Sequence, residues 1–400
     1  MRSILGKKDA FGIVVICFVA LLLLSPNTVL GEEKIGESIN VGGIFDISGP
    51  TNQIGAPFAD GAVAYFEYLK KTQGNIKGIA VNLLTIDYQY NPQKSMAALS
   101  RLTTKENILG LLAWGSVDAP LIIPKAEEIS LAVVSAAARG RNVIGKFSPV
   151  VFAIAPTYTD EWVEELFLVN RDVLKRKIFD PKIAIVYNEP GRPGSKPVLQ
   201  RSKMLGYEVP VFEFLSSKSM SASAIVSRAK EAGCQYVMSL TTLGPLTVLM
   251  KDAQRIDYHP IFFGDFFCAS QLLFELCAGA PQKTFVTSPV ALMDETDNPG
   301  IKKIIEFTGN PKLLNQFVAG WVGAMVLAEG IEKSNINPDM TISEARKAIV
   351  AGLESFKNQQ FDGLTLPMTF TKTNHIGTKQ FKLYSVNWET KKFVPVKTEF

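Results

Sequence analysis

The sequence predicts an α/β protein of two doubly wound lobes. Three observations carry this expectation. Short apolar runs of strand length alternate with stretches of helical period from residue 39 onward. The order strand, helix, strand, helix, strand occurs twice along the chain. The roughly 370 residues that follow an N-terminal leader exceed what one hydrophobic core usually supports, so two bodies are expected.

Residues 1–31 read as a secretory signal peptide outside the fold. Arg2, Lys7 and Lys8 form a basic start, Phe11 to Leu24 an apolar core, and Val29-Leu30-Gly31 a small-residue cleavage site. The apolar core is short of the about 20 residues that a membrane span needs, so an uncleaved anchor is the minority reading. Cys17 has further apolar residues after it and does not read as a lipid-attachment cysteine. The mature chain is expected to be exported and soluble.

The first lobe begins with a strand at Ile39 to Ile44, followed by the loop Asp46 to Gly55 and a helix from about Pro57 to Lys71. Ile79 to Asp87 is the second strand, and Asn91-Pro92 opens a helix to about Thr104. The stretch Ile108 to Arg139 then forms the pivotal unit. Its apolar run Ile108 to Ala113 stops at Gly115-Ser116, Val117 to Ile129 reads as an amphipathic helix, and Leu131 to Val134 is a strand breaking into the loop Ser135 to Ala138. Both turns leave the carboxyl ends of strands, where open α/β sheets place ligands. Ser116 would offer a hydroxyl at a helix N-terminus, which attracts an anion such as a carboxylate. Ser116 or Asp118 reads equally as a plain N-cap, and both readings stand at this point.

Phe152 to Thr157 leads across to the second lobe. There the sequence gives a helix around Thr159 to Asn170, a strand Lys182 to Tyr187 and a loop Asn188 to Gly194 ahead of the next helix. The strand Val209 to Leu215, the helix Ser221 to Ala232, the strand Tyr236 to Leu240 and the helix Leu246 to Gln254 follow, and Pro260 to Phe263 ends at Gly264-Asp265-Phe266-Phe267. Gln282 to Pro289 reads as a connecting strand. Gly300 to Gly309, Asn315 to Ser334 and Ile342 to Leu353 read as helices, and a terminal hairpin is expected to turn at Asn374 to Gly377. Trp321 and the stripe through Met325 read as core packing.

Composition narrows the chemistry. With the leader's Arg2, Lys7, Lys8 and Asp9 removed, net charge falls from +4 to +2, which makes no case for nucleic acid or anionic lipid. The glycines at 42–55 lack both G-x-G-x-x-G and a Gly-Lys-Ser/Thr, so a nucleotide is not expected. Only His259 and His375 are present and no Cys or His pair has ligand spacing, so neither metal nor cofactor is expected, and a Ser-His-Asp arrangement lacks a base. Of Cys234, Cys268 and Cys277, the last two are the expected disulfide in an oxidising compartment.

Four stretches together carry a family resemblance: FDISGPTNQIGAPFADGA from Phe45, DYQYNPQKSMAAL from Asp87, WGSVDAPLIIPKAEEISLAVVSAAA from Trp114, and WVGAMVLAEGIEK from Trp321. In order and spacing the chain resembles the periplasmic leucine/isoleucine/valine-binding proteins over essentially its whole mature length. The resemblance implies two Rossmann-like lobes joined by interlobe crossings, the type I periplasmic binding protein architecture. It implies a first lobe of 32–156 and 287–362 and a second of 157–286 and 363–400.

The resemblance also implies a role for particular residues. The hydroxyl at Ser116 would hold the ligand's carboxylate, with backbone of the loop at Ala137. Arg139 stands where a threonine is usual and would either clamp a carboxylate or point to solvent. Tyr158 replaces the family's aspartate after the crossing, and the position expected to pair an amino acid's ammonium falls on Phe266, with Asp265 beside it. The family's early disulfide is absent. Trp114, Tyr158, Phe266 and Phe267 suggest a flat or aromatic ligand or simply core packing. The candidate site is therefore Ser116, Ala137, Arg139 and Trp114 from the first lobe, with Tyr158, Thr242 and Asp265 from the second. The implied function is capture of a small carboxylate-bearing solute for the membrane permease of an ABC importer, by a monomer and without bond-making chemistry. A ligand sensor of the same fold is the alternative, and an exported hydrolase with Ser116 as nucleophile is disfavoured.

Overall fold

The structure, a computed structural model, describes residues 33–136, 140–144, 147–168, 181–189 and 191–397. Two sheets organise them. The first has order β2-β1-β3-β4-β5 and is wholly parallel, from β1 (Ser38–Phe45), β2 (Ala80–Asp87), β3 (Gly110–Ala113), β4 (Ala132–Ser135) and β5 (Val151–Ala153). Its connections are α1 (Asn52–Thr72), α2 (Pro92–Thr104), α3 (Ala119–Glu128) and the single turn α4 (Arg141–Ile144).

The second half repeats the plan. It comprises α5 (Tyr158–Leu168), β6 (Lys182–Tyr187), α6 (Arg192–Met204), β7 (Glu208–Phe214), α7 (Ser223–Glu231), β8 (Tyr236–Leu240), α8 (Leu243–Arg255), β9 (Ile261–Gly264), the short α9 (Leu272–Leu276) and β10 (Thr284–Ser288). Its parallel strands run β7-β6-β8-β9-β10, the first sheet's order again. The chain then adds α10 (Pro299–Thr308), α11 (Asn315–Lys333) and α12 (Ile342–Glu354), and an antiparallel pair, β11 (Lys382–Asn387) and β12 (Lys392–Val396), extends the second sheet beyond β10. Two doubly wound lobes result.

Local chemistry explains the element ends. Asn91 caps α2 by accepting from Gln93 N and Lys94 N, with Pro92 pre-set at the first helical position. Thr341 and Glu344 close a capping box on α12. Helix α11 is apolar nearly all round because it lies between α1 and the sheet, with Trp321 fully buried and Met325 packed at the margin. Gly61 and Gly320 permit that contact. A Cβ at Gly61 would lie 2.0 Å from Phe317 O, and one at Gly320 1.8 Å from Phe58 O.

One core cluster draws together side chains from Ile35 to Ala155 and from Val290 to Phe370, while two others cover the two faces of the second sheet. Two crossings lie side by side where Ala153 pairs with Ile376. Ala153 N donates to His375 O at 2.9 Å, and Gly377 N to Ala153 O at 2.8 Å.

The structure corrects several expectations. Helix α1 starts at Asn52 rather than Pro57 and so takes Pro57 inside it, while α6 begins inside the loop expected at 188–194, where a proline suits its first turn. The hairpin turns between β11 and β12, near Lys391 with its φ of 54°, and not at Asn374 to Gly377. No Cys268–Cys277 disulfide exists: both thiols are buried and free. Cys268 Sγ donates to Thr241 O at 3.3 Å, while Cys277 Sγ lies 4.0 Å from Met250 Sδ, so the two sulfurs serve different neighbours. Burial raises both thiol pKa values, that of Cys277 to about 11.

Candidate ligand-binding site

The carboxyl ends of both sheets face one cleft. On the first lobe, β1 runs into Asp46, a fully buried carboxylate that accepts from Gly49 N and Thr51 N, each at 2.7 Å, and from Thr51 Oγ1 at 2.6 Å. Thr51 Oγ1 in turn accepts the indole N–H of Trp114 at 3.1 Å, so the loop after β1 fixes the ring that follows β3.

The turn after β3 is held from below. Asp118, fully buried, accepts from Tyr88 OH at 2.9 Å and Ser95 Oγ at 3.0 Å. Its burial pushes the carboxyl pKa up, and these two hydrogen bonds offset that only in part. A Cβ at Gly115 would lie 2.1 Å from both Asp118 Oδ1 and Tyr88 OH, so a side chain here would have to displace this hydrogen-bonded pair. Ser116 follows, half-buried, three residues ahead of the first residue of α3.

On the second lobe, Asn188 after β6 donates to Ser217 Oγ at 3.0 Å and to Thr242 Oγ1 at 3.2 Å, and its own Oδ1 accepts Gly191 N at 3.2 Å. It ties three strand ends together. Glu189 accepts from Ser216 Oγ at 2.9 Å, Ser217 N at 2.9 Å and Ser217 Oγ at 2.6 Å. Against the cost of partial desolvation, these bonds lower its pKa to about 2. After β9, Asp265 Oδ1 accepts Phe267 N at 2.9 Å.

A chamber of about 230 Å3 lies between these walls. Thr51, Tyr90, Trp114, Gly115 and Ser116 line it from the first lobe, and Tyr158, Trp162, Asn188, Glu189, Thr242, Asp265 and Phe267 from the second. An aromatic bridge spans the gap: the Trp114 and Phe267 centroids are 6.5 Å apart at 82°, and Phe267 continues to Tyr158 at 5.6 Å and then Trp162 at 5.8 Å. The indole N–H of Trp162, a donor on this wall, is buried with no acceptor among the described residues. A second chamber of about 320 Å3 adjoins the first.

Five of the seven residues singled out from the sequence thus line one chamber: Trp114, Ser116, Tyr158, Thr242 and Asp265. Ala137 and Arg139 lie outside the described residues. Phe266 is buried in the first core, and its neighbour Asp265 is the one that faces the cleft. Sequence reasoning missed Tyr90, Trp162, Asn188 and Glu189. The rule that found Ser116, a polar residue just past a strand end, points equally to Asn188 and Glu189. Neither His259, bonded to Gln282, nor His375, stacked on Phe152 at 4.0 Å, lines either chamber. Among the described residues no group of His, Cys, Asp and Glu has the arrangement of a metal site, and no helix is long and apolar enough to cross a membrane.

The family model for periplasmic binding protein matches residues 38–392. The chain belongs to the periplasmic binding protein family. Solved structures share the fold of this periplasmic binding protein over nearly its whole described length. A branched-chain amino acid ABC transporter protein from Thermus thermophilus, with bound valine, superposes with a TM-score of 0.80 at 19% identity, covering 91% of this chain and 97% of its own. A fatty acid ABC transporter substrate-binding protein from Thermomonospora curvata gives 0.75 at 19%, covering 93% and 95%. A leucine binding protein from Thermotoga maritima gives 0.73 at 16%, covering 90% and 98%. At these identities the likeness is one of fold. No curated protein matches the chain.

Proposed function

We propose that this periplasmic binding protein is exported by its leader, closes two lobes on a small carboxylate-bearing solute with an apolar or aromatic body, and hands it to the permease of an ABC importer. With the first core reaching Phe370 and β10 belonging to the second sheet, the first lobe would comprise 32–156 and 289–376 and the second 157–288 and 377–400, rather than dividing at 287 and 363, and the protein would work as a monomer. The observation that carries the reading is one chamber lined from both lobes, with Ser116 at the mouth of α3 on one side and the aromatic wall of Tyr158, Trp162 and Phe267 on the other. Ser116 and the N-terminal end of α3 would hold the carboxylate, with Ala137 and Arg139 as further contacts. The aromatic rings would bury the body of the solute. Relatives of the same fold that carry valine or are named for fatty acids support an apolar acid as the class. Bringing the lobes together about the paired crossings at Ala153 and Ile376 would turn ligand contacts into a surface that a permease distinguishes. No bond-making step is proposed.

The test is a thermal-shift screen of the mature protein against amino acids, aromatic acids, fatty acids and dicarboxylates, each beside its neutral amide and its decarboxylated amine or hydrocarbon counterpart. Ligand at 100-fold above its Kd adds about 2.7 kcal/mol of stability. A shift confined to neutral or purely cationic compounds would overturn the carboxylate assignment.

A further inference from the structure

We propose that the second chamber binds the amino end of a longer ligand, making the solute a short peptide with an apolar or aromatic carboxyl-terminal residue. This rests on the carboxylate reading of the first chamber and extends it. The two chambers adjoin, sharing Thr51, Tyr90, Glu189, Thr242 and Phe267 as common walls. The second, at about 320 Å3, is larger than the about 230 Å3 of the first. A single small acid held at Ser116 leaves it unused.

Two acceptors line the second chamber, one with no donor and the other with no cation to pair it among the described residues. Gln316 is 1% exposed and lines this chamber but not the first. Its Nε2 donates to the carbonyl of Phe266 at 3.4 Å. A carbonyl only accepts, so the amide cannot be turned the other way, and Oε1 is left with no partner among the described residues. A bare buried acceptor marks a place for a donor. Glu189 is the other. Its carboxylate is held ionised by Ser216 and Ser217, and it forms no ion pair among the described residues.

A peptide's ammonium and amide N–H match both acceptors, and the exposed Lys218 in the same chamber suits the peptide carbonyl. A fatty acid or a simple aromatic acid has no donor for either position. In a free amino acid the ammonium sits beside the carboxylate, which Ser116 would hold in the first chamber. An ammonium in the second chamber therefore needs a ligand longer than a free amino acid.

Calorimetric titration of the mature protein with 3-phenylpropionate, phenylalanine and glycylphenylalanine tests this. Glycylphenylalanine is expected to bind at least tenfold more tightly than phenylalanine. That ratio should fall below threefold in Glu189→Gln, which removes the charge at an exposed site, and in Gln316→Leu, which removes the buried acceptor at similar volume. A dipeptide that binds no better than phenylalanine, or a ratio preserved in both variants, overturns the inference and leaves the carboxylate reading standing. Failure of all three carboxylates to bind overturns both.

Discussion

Trp114 donates its indole N–H to Thr51 Oγ1 at 3.1 Å, and the same hydroxyl donates to buried Asp46 at 2.6 Å. One threonine therefore links the ends of β1 and β3 and sets the angle of an aromatic wall of the cleft. Thr51→Val keeps the shape and removes both bonds. It is expected to lower stability by about 1–2 kcal/mol, the net value of one or two intramolecular hydrogen bonds, one of them to a charged group. Urea unfolding measures the loss, and a changed tryptophan emission of the folded protein would report the released ring.

Gly115 has no room for a side chain, because a Cβ would meet Asp118 Oδ1 and Tyr88 OH at 2.1 Å. Gly115→Ala is expected to cost about 1–3 kcal/mol as an overpacking change and to displace Ser116. The melting temperature should fall and the ligand-induced shift should vanish with it. A variant as stable and as responsive as the wild type would show that the turn is not rigid.

Glu165 on α5 is fully buried, and neither of its carboxyl oxygens has a hydrogen-bond partner among the described residues. Burial, reinforced by the charges of Asp265 and Glu161, raises its pKa well above the usual carboxylate range. The folded protein therefore binds a proton that the unfolded chain releases above its ordinary pKa of 4.5. Stability falls as pH rises from there through the folded-state value, with a slope of up to about 1.4 kcal/mol per pH unit from this group. Glu165→Gln should remove that slope and be the more stable protein at pH 7. Denaturant melts from pH 5 to pH 8 check it, and parallel curves for the two proteins would contradict it.

The sequence made the scaffold legible because buried parallel strands are continuous apolar runs. Lys182 to Tyr187 and Tyr236 to Leu240 appear as strands with the bounds read from the sequence. It placed Ser116, Thr242 and Asp265 at one cleft because doubly wound sheets put strand ends together. What it hid depended on contacts distant in sequence. Cysteine spacing carries no information about where Cys268 and Cys277 point, and each sulfur found its own neighbour. The Pro-Gly run at 190–194 looks like a loop, but α6 begins at Arg192 within it. Nothing in the sequence around Trp162 separates a cleft wall from core, and the structure gives it both places.

The most direct test of the central claim compares wild type and Ser116→Ala, by thermal shift, against a matched acid and amide: 3-phenylpropionate and 3-phenylpropionamide. The account expects the acid to stabilise the wild type and the amide to do so far less. It expects Ser116→Ala to lose about 1.5–3 kcal/mol of acid binding, the value of a hydrogen bond to a charged group. Equal stabilisation by acid and amide, or a full acid response in Ser116→Ala, would contradict the assignment of a carboxylate to this turn.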